Sequence, residues 1–220
     1  PWQQAHARLP VLMSGMIGSR QGWVEVPYLD CPIDAAAVAA GLVRLETPVP
    51  NLGAVWIVPG LAMGASASSP DVMRGEETQI FGALLSTGRR SRLFVLPGTH
   101  SKWVTVEDDR ILGFATYMTG EVYAALKGHT ILGRLMSRDE TDMDGFSRGV
   151  AAAREMPGPA GRLLHNIFSA RTLALAGRLA PHQIAGYLSG LLIGAEIVAA
   201  APRGCEVTII ASAGLAALYA

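Results

Sequence analysis

The sequence predicts a mixed α/β protein, and three observations carry that expectation. Short apolar runs bounded by Gly, Pro and Ser occupy the first half of the chain. From about residue 119 the apolar spacing lengthens to that of helices, and near the end one more apolar run, CEVTIIAS, leads into a new helix. Strands, then a helical block, then a strand-to-helix return is the order of an α/β fold, with helices packed on a sheet to which residues outside this stretch also contribute. Half of the 220 residues are hydrophobic and 16% are charged, which excludes disorder for the chain as a whole. Eighteen basic residues balance eighteen acidic ones, which excludes the broad positive footprint of a general nucleic-acid binder. Cys31 and Cys205 are too far apart for a metal knuckle and too few for a disulfide scaffold, so a reducing cytoplasm fits. The length allows one large domain or two small ones.

Taken in order, residues 11–17 are a short apolar run ending in Gly and Ser, as a strand does on entering a loop. Residues 34–43, Ala-rich behind Asp34, predict a short helix. Residues 53–59 predict a strand closed by Pro59-Gly60, with a Gly/Ala/Ser-rich loop over 60–69. In PDVMRGEETQIFGALLS, Asp71 and the paired glutamates are expected at a helix N-terminus. RLFVL (92–96) reads as a strand stopped by Pro97-Gly98, and VTVEDDRILGF as a hairpin turning at Asp108-Asp109. Helices are expected over TGEVYAALKGHTILGRLM, 142–155, 161–178 and 181–200, with Met156-Pro-Gly-Pro as a break between two of them. Opening at Pro1 without a signal-peptide pattern, the chain reads as an internal piece of a longer one.

Residues 184–201, IAGYLSGLLIGAEIVAAA, approach the length of a membrane span. Glu196 interrupts them, and Gly186, Gly190 and Gly194 recur every four residues on one helical face. In a membrane that spacing is a dimerisation seam; in a water-soluble fold it lets a helix lie close to its neighbour, and the charge favours the second reading.

Three stretches can carry chemistry. In LPGTHSKWV (96–104), Gly98 permits close backbone approach, Thr99 and Ser101 offer hydroxyls, and His100 and Lys102 offer positive charge. Those groups suit a phosphate oxygen held between two strands, and they equally suit an ordinary Pro-Gly turn. RGEETQIFGALL (74–85) sets two carboxylates on the first turn of a helix. Acids there complement the helix dipole, worth ~0.3–1 kcal/mol each, and that ordinary reading outweighs a general base on the residues alone. SGMIGSRQGWVEVPYLDCP (14–32) mixes glycines, hydroxyls, Arg20, Gln21 and Trp23, a set suited to a polyhydroxylated acid. His6, His129, His165 and His182 are expected to be structural or solvent-facing.

Together SGMIGSRQGW, VPGL, PDVMRGEETQIFG, LPGTHSKWV, FATYMTGEVYAALKGHTILG, FSARTL and YLSGLLIGAEI resemble the 2-dehydro-3-deoxygalactonokinase family, in order and across nearly the whole chain. The resemblance implies membership of the sugar kinase, hexokinase and actin-like ATPase superfamily, with two ribonuclease-H-like lobes that are incomplete here. It implies residues 1–90 as the remainder of a sugar-binding lobe and 91–220 as a truncated nucleotide-binding lobe. The implied reaction moves the γ-phosphate of ATP, with Mg2+, to the 6-hydroxyl of 2-dehydro-3-deoxy-D-galactonate, with no nucleic-acid or membrane partner and a homodimer left open. RGEETQIFG before LPGTHSKWV is similar to the glycerol kinase arrangement of GDQQAALFG and TYGTG. That similarity implies Glu76 as catalytic base if Gly75 is aligned with the family glycine; counting back from Phe81 shifts the match by one, and Glu77 and Asp71 stay open. Gly98, Thr99 and His100 are implied against the β- and γ-phosphates, with Ser101 and Lys102 beside them. Ser14, Gly18, Ser19, Arg20 and Trp23 are implied at the sugar acid, with Arg20 on its carboxylate, and Ser212 and Gly214 at adenosine. The Asp-x-Gly-Thr-Thr strand and turn that opens such kinases has no counterpart between Pro1 and Ser14. The expectation is therefore that the full-length protein is the kinase, that these 220 residues alone are inactive, and that a sugar-acid-binding module without turnover is the alternative.

Overall fold

The computed structural model describes residues 9–46, 53–64, 69–87, 93–137, 142–155 and 161–220. His6, Arg92, the middle of the 60–69 loop and the 156–159 break lie outside them. The chain divides into two compact units: residues 1–96, 102–116 and 206–210 form the first, and 97–101, 117–205 and 211–220 the second. The division does not follow the 1–90 and 91–220 boundaries. The reason is strand pairing: Arg110 and Ile111 lie antiparallel to Asp34 and Ile33, and Thr208 and Ile209 run parallel to Phe94 and Val95, which ties later segments into the first unit.

Among the described residues, the first unit holds three sheets. Strands β1 (Val11–Met13), β5 (Val55–Ile57) and β4 (Val43–Leu45) form one, in that order. Strands β2 (Tyr28–Asp30), β6 (Gly60–Met63) and β7 (Asp71–Met73) form the second. The largest runs β11 (Thr208–Ile209), β8 (Leu93–Leu96), β9 (Ser101–Glu107), β10 (Arg110–Tyr117), β3 (Ile33–Asp34). Helix α1 (Ala35–Ala40) starts where Asp34 Oδ1 accepts the Ala37 N–H at 2.8 Å, a cap worth ~1 kcal/mol, and stops at Gly41. Helix α2 spans Glu76–Thr87. Phe94, Leu61, Met73, Ile80, Val104 and Ile111 are almost fully enclosed and form the centre of the unit's core.

Several expectations shift. Residues 60–63, expected as loop, are β6, because Leu61 and Ala62 pair with Met73 and Val72. Asp71 opens strand β7 and not a helix; α2 begins five residues later, after Gly75 takes a positive φ of 110°. The β9–β10 hairpin turns at Asp108 and Asp109 as expected, both left-handed at φ 48° and 60°, the geometry Asp tolerates better than most side chains.

The second unit is helical. Helix α3 (Thr119–His129) is followed by a 3-10 turn over Ile131–Leu135, α4 (Met143–Arg154), α5 (Gly161–Ile167), α6 (Ser169–Leu175), α7 (Gln183–Ala200) and α8 (Ala213–Tyr219). The single helix expected over 161–178 is two, α5 and α6. Helix α7 is long and apolar enough to cross a membrane by length and composition, yet 61% of it is buried in the fold. Its glycines lie against α4: a β-carbon on Gly186 would sit 2.2 Å from the Asp142 carbonyl, and one on Gly190 2.0 Å from that of Phe146. The four-residue glycine spacing is thus an intramolecular packing seam.

Candidate active site

In the first unit, the turn from β7 into α2 gathers the three acids and the loop that follows β1. Glu77 is fully buried, at 0% exposure. Its Oε2 accepts the Gly75 N–H at 2.6 Å and its Oε1 accepts the Thr78 hydroxyl at 3.0 Å. Ser14 donates to the same Oε1 at 3.4 Å and lies 2.8 Å from Thr78 Oγ1, so the carboxylate stitches the Ser14 loop to the helix start. Burial pushes the Glu77 pKa up; hydrogen bonds from its own N–H, Gly75 and Thr78 offset part of the rise, and neighbouring Glu76 adds to it.

Glu76 is half-buried. Its Oε2 accepts the Arg74 N–H at 3.0 Å, and its Oε1 has no hydrogen-bond partner among the described residues. Asp71 is tied down instead: Oδ1 accepts the Val72 N–H at 2.8 Å and the Thr116 hydroxyl at 2.7 Å, and Oδ2 the Thr116 N–H at 2.7 Å. Lys102 joins this cluster, its Nζ donating to the Val72 carbonyl at 2.8 Å and to Thr116 Oγ1 at 2.6 Å. A chain of Lys102, Thr116 and Asp71 results, with the hydroxyl accepting from the ammonium and donating to the carboxylate. Burial lowers the Lys102 pKa, and the nearby Glu76 and Asp71 charges pull it back up.

Of the loop residues expected at a sugar acid, Gly18 and Ser19 are buried, while Ser14, Arg20 and Trp23 are exposed. Arg74, passed over in the sequence, is only 9% exposed. It donates through Nη2 to the Val26 carbonyl at 2.8 Å and lies 4.2 Å from the Tyr28 ring centre.

The second unit carries the loop Pro97–Ser101. Gly98 is half-buried, Thr99 and His100 are exposed, and Ser101 is buried. The Thr99 carbonyl accepts the Glu121 N–H at 3.0 Å, and the His100 ring pairs with the Glu121 carboxylate. Gly120 lets α3 come this close, since a β-carbon there would lie 2.4 Å from the Gly98 carbonyl. Ser101 Oγ is 3.2 Å from the Tyr219 hydroxyl, which donates to Glu196 at 2.9 Å. Burial is the main reason the Tyr219 pKa stands far above the ordinary phenol value. A cavity of about 170 Å³ opens beside the loop, lined by Gly98, Gly120, Tyr123, Leu192, Leu215 and Tyr219 among others. Ser212 and Gly214 are exposed at the start of α8. Sequence reasoning missed Arg74, Thr116, Glu121, Glu196 and Tyr219; all but Tyr219 stood inside motifs already quoted for the family resemblance. His129, His165 and His182 are exposed, as expected.

Comparison with known proteins supplies the class first. The chain is 40% identical over 222 residues to the probable 2-dehydro-3-deoxygalactonokinase of Rhizobium meliloti, covering 98% of this chain and 70% of that protein. It is 34% identical over 215 residues to the 2-dehydro-3-deoxygalactonokinase of Escherichia coli, covering 96% and 69%. A crystal structure from Sinorhizobium meliloti carrying the same enzyme name superposes with a TM-score of 0.87 at 39% identity, over 98% of this chain and 70% of that one. These are sugar-acid kinases. Residues 1–220 match the family described as 2-keto-3-deoxy-galactonokinase, and the chain belongs to that family.

The Glu77 geometry sets a pH dependence of stability. The folded state holds the Glu77 proton more tightly than the unfolded chain, whose glutamate titrates near its ordinary 4.5. This group's contribution is therefore most favourable below that value and is lost as pH rises through it towards the folded pKa. Glu77→Gln should flatten the slope of urea-unfolding free energy between pH 4 and 7 relative to wild type. An unchanged slope would mean the buried carboxylate is not what the acid range reads.

Proposed function

We propose that the full-length protein transfers the γ-phosphoryl group of ATP to the 6-hydroxyl of 2-dehydro-3-deoxy-D-galactonate, in galactonate breakdown in the cytoplasm. The supporting observation is Glu76, a helix-opening carboxylate with one oxygen tethered and the other unengaged, in a chain that matches a sugar-acid kinase family from end to end. The two units correspond, in this reading, to the ribonuclease-H-like lobes of the actin-like ATPase superfamily. Cys31 as a free thiol agrees with the cytoplasm.

Glu76 takes the proton of the 6-hydroxyl as its oxygen bonds to the γ-phosphorus, and the bond from that phosphorus to the β–γ bridging oxygen breaks to release ADP. Glu77 and Asp71 hold the turn that aims Glu76, the first by bonding its buried carboxyl group to Gly75 and Ser14, the second by locking β7 to Thr116. The sugar acid occupies the first unit at the Ser14–Trp23 loop, where Ser14, Gly18, Ser19, Arg20 and Trp23 surround it. In the second unit, Gly98, Thr99, His100 and Ser101 face the β- and γ-phosphates, with Lys102 anchoring the strand that leaves the loop, and Ser212 and Gly214 lie at adenosine. The described residues contain no group of three or more His, Cys, Asp or Glu able to hold a metal, so they offer Mg2+ no cage of their own.

Coupled ADP release by the full-length protein, with ATP, Mg2+ and either the galactonate-derived acid or its gluconate-derived epimer, tests this reading. Turnover on the first is the expected result. Turnover on the epimer alone would change the substrate, and no turnover on either would favour a sugar-acid-binding module.

A further inference from the structure

Arg74 presents an imbalance that the mechanism above leaves unused. Its guanidinium is nine-tenths buried, yet only Nη2 has an acceptor, the Val26 carbonyl. Nε and Nη1 are buried without a hydrogen-bond partner among the described residues, and so is the hydroxyl of Ser19, itself 6% exposed. These donors are close in the fold. A β-carbon on Gly18, the residue before Ser19, would lie 3.1 Å from Nη1. Buried donors without acceptors are rare in folded proteins, and charged ones rarer, because each loses its water without replacement. The Tyr28 ring, 4.2 Å from the guanidinium carbon, fixes the plane of the fork. Arg74 also stands two residues before Glu76, whose carboxylate accepts the Arg74 N–H.

We infer that Arg74, and not the exposed Arg20, reads the carboxylate of the sugar acid, with the Ser19 hydroxyl as a second donor. This rests on the proposed sugar-acid reading and refines it. A planar fork with two free donor directions matches the two oxygens of a carboxylate, and an ammonium or a neutral amide does not. The turn over Met16–Gly18 lies beside these donors. Anchoring one end of the substrate next to Glu76 in sequence leaves the far hydroxyl to be aimed at the base. The same fork rejects neutral sugars, since their entry would leave a buried cation unpaired.

The test compares binding, by calorimetry without nucleotide, of 2-dehydro-3-deoxy-D-galactonate and its methyl ester to the full-length protein. Wild type should prefer the acid by ~30-fold or more, as expected for a charge-assisted buried pair. Arg74→Gln should bring that ratio below ~3 while ATP affinity stays within about twofold, a selectivity change that loss of a merely structural contact would not produce. Ser19→Ala, which removes one oxygen and keeps the fold, should lower the ratio by ~5-fold and serves if Arg74→Gln does not fold. An unchanged ratio in Arg74→Gln, or in Ser19→Ala where that variant has to serve, overturns the inference. So does a ratio that collapses in Arg20→Gln instead, or a wild type indifferent to the carboxylate. Failure of phosphoryl transfer with the acid preference intact would overturn the kinase reading and leave this one standing.

Discussion

Glu76→Gln in the full-length protein is expected to lower kcat and kcat/KM together by ~10²- to 10⁴-fold, with the fold and the thermal midpoint unchanged. The amide oxygen of glutamine can still accept the Arg74 N–H that the Glu76 carboxylate accepts at 3.0 Å, so the turn before α2 keeps its geometry and only the proton acceptor is lost. Among the three acids, Glu76 alone combines partial exposure with a carboxylate oxygen that has no hydrogen-bond partner among the described residues. Asp71 spends both oxygens on three donors, and Glu77 is sealed at 0% exposure. Steady-state kinetics on Glu76→Gln, Glu77→Gln and Asp71→Asn separate the roles. Loss of turnover through Glu77 or Asp71, with stability retained and Glu76→Gln active, would move the base to that residue.

The sequence made some of this legible and hid the rest for physical reasons. The β9–β10 hairpin could be read because Asp108 and Asp109 act locally, through the backbone angles they tolerate. Asp71 was misread because an acid just ahead of a helix resembles a cap, and nothing local says that it instead accepts from Thr116, 45 residues away. Arg74 was missed for the same kind of reason. Its burial depends on Val26, 48 residues earlier, and on Tyr28, so the residue looks like an ordinary surface arginine in RGEETQ. The loop LPGTHSKWV was found from its small and polar residues. Its supports, Glu121 from α3 and the Tyr219–Glu196 pair, come from later segments whose own patterns announce only helices.

Gly190→Ala should destabilise the second unit by up to about 3 kcal/mol, although helix propensity by itself favours alanine over glycine by ~1 kcal/mol. The contact decides the sign. The added β-carbon would lie 2.0 Å from the Phe146 carbonyl, a backbone atom that moves only if α4 moves with it. The seam is reciprocal: a β-carbon on Gly149 of α4 would meet the Tyr187 carbonyl at 2.1 Å, and one on Gly145 the Gln183 carbonyl at 2.4 Å. Glycines of both helices therefore set their separation, and a single methyl group must push the backbones apart. Gly214→Ala is the matched control, because its β-carbon would meet nothing within 4 Å and should bring only the propensity gain. Urea unfolding of the two variants beside wild type reads the difference. A Gly190→Ala midpoint at or above that of wild type would show that α4 and α7 do not need the close approach that the glycine spacing provides.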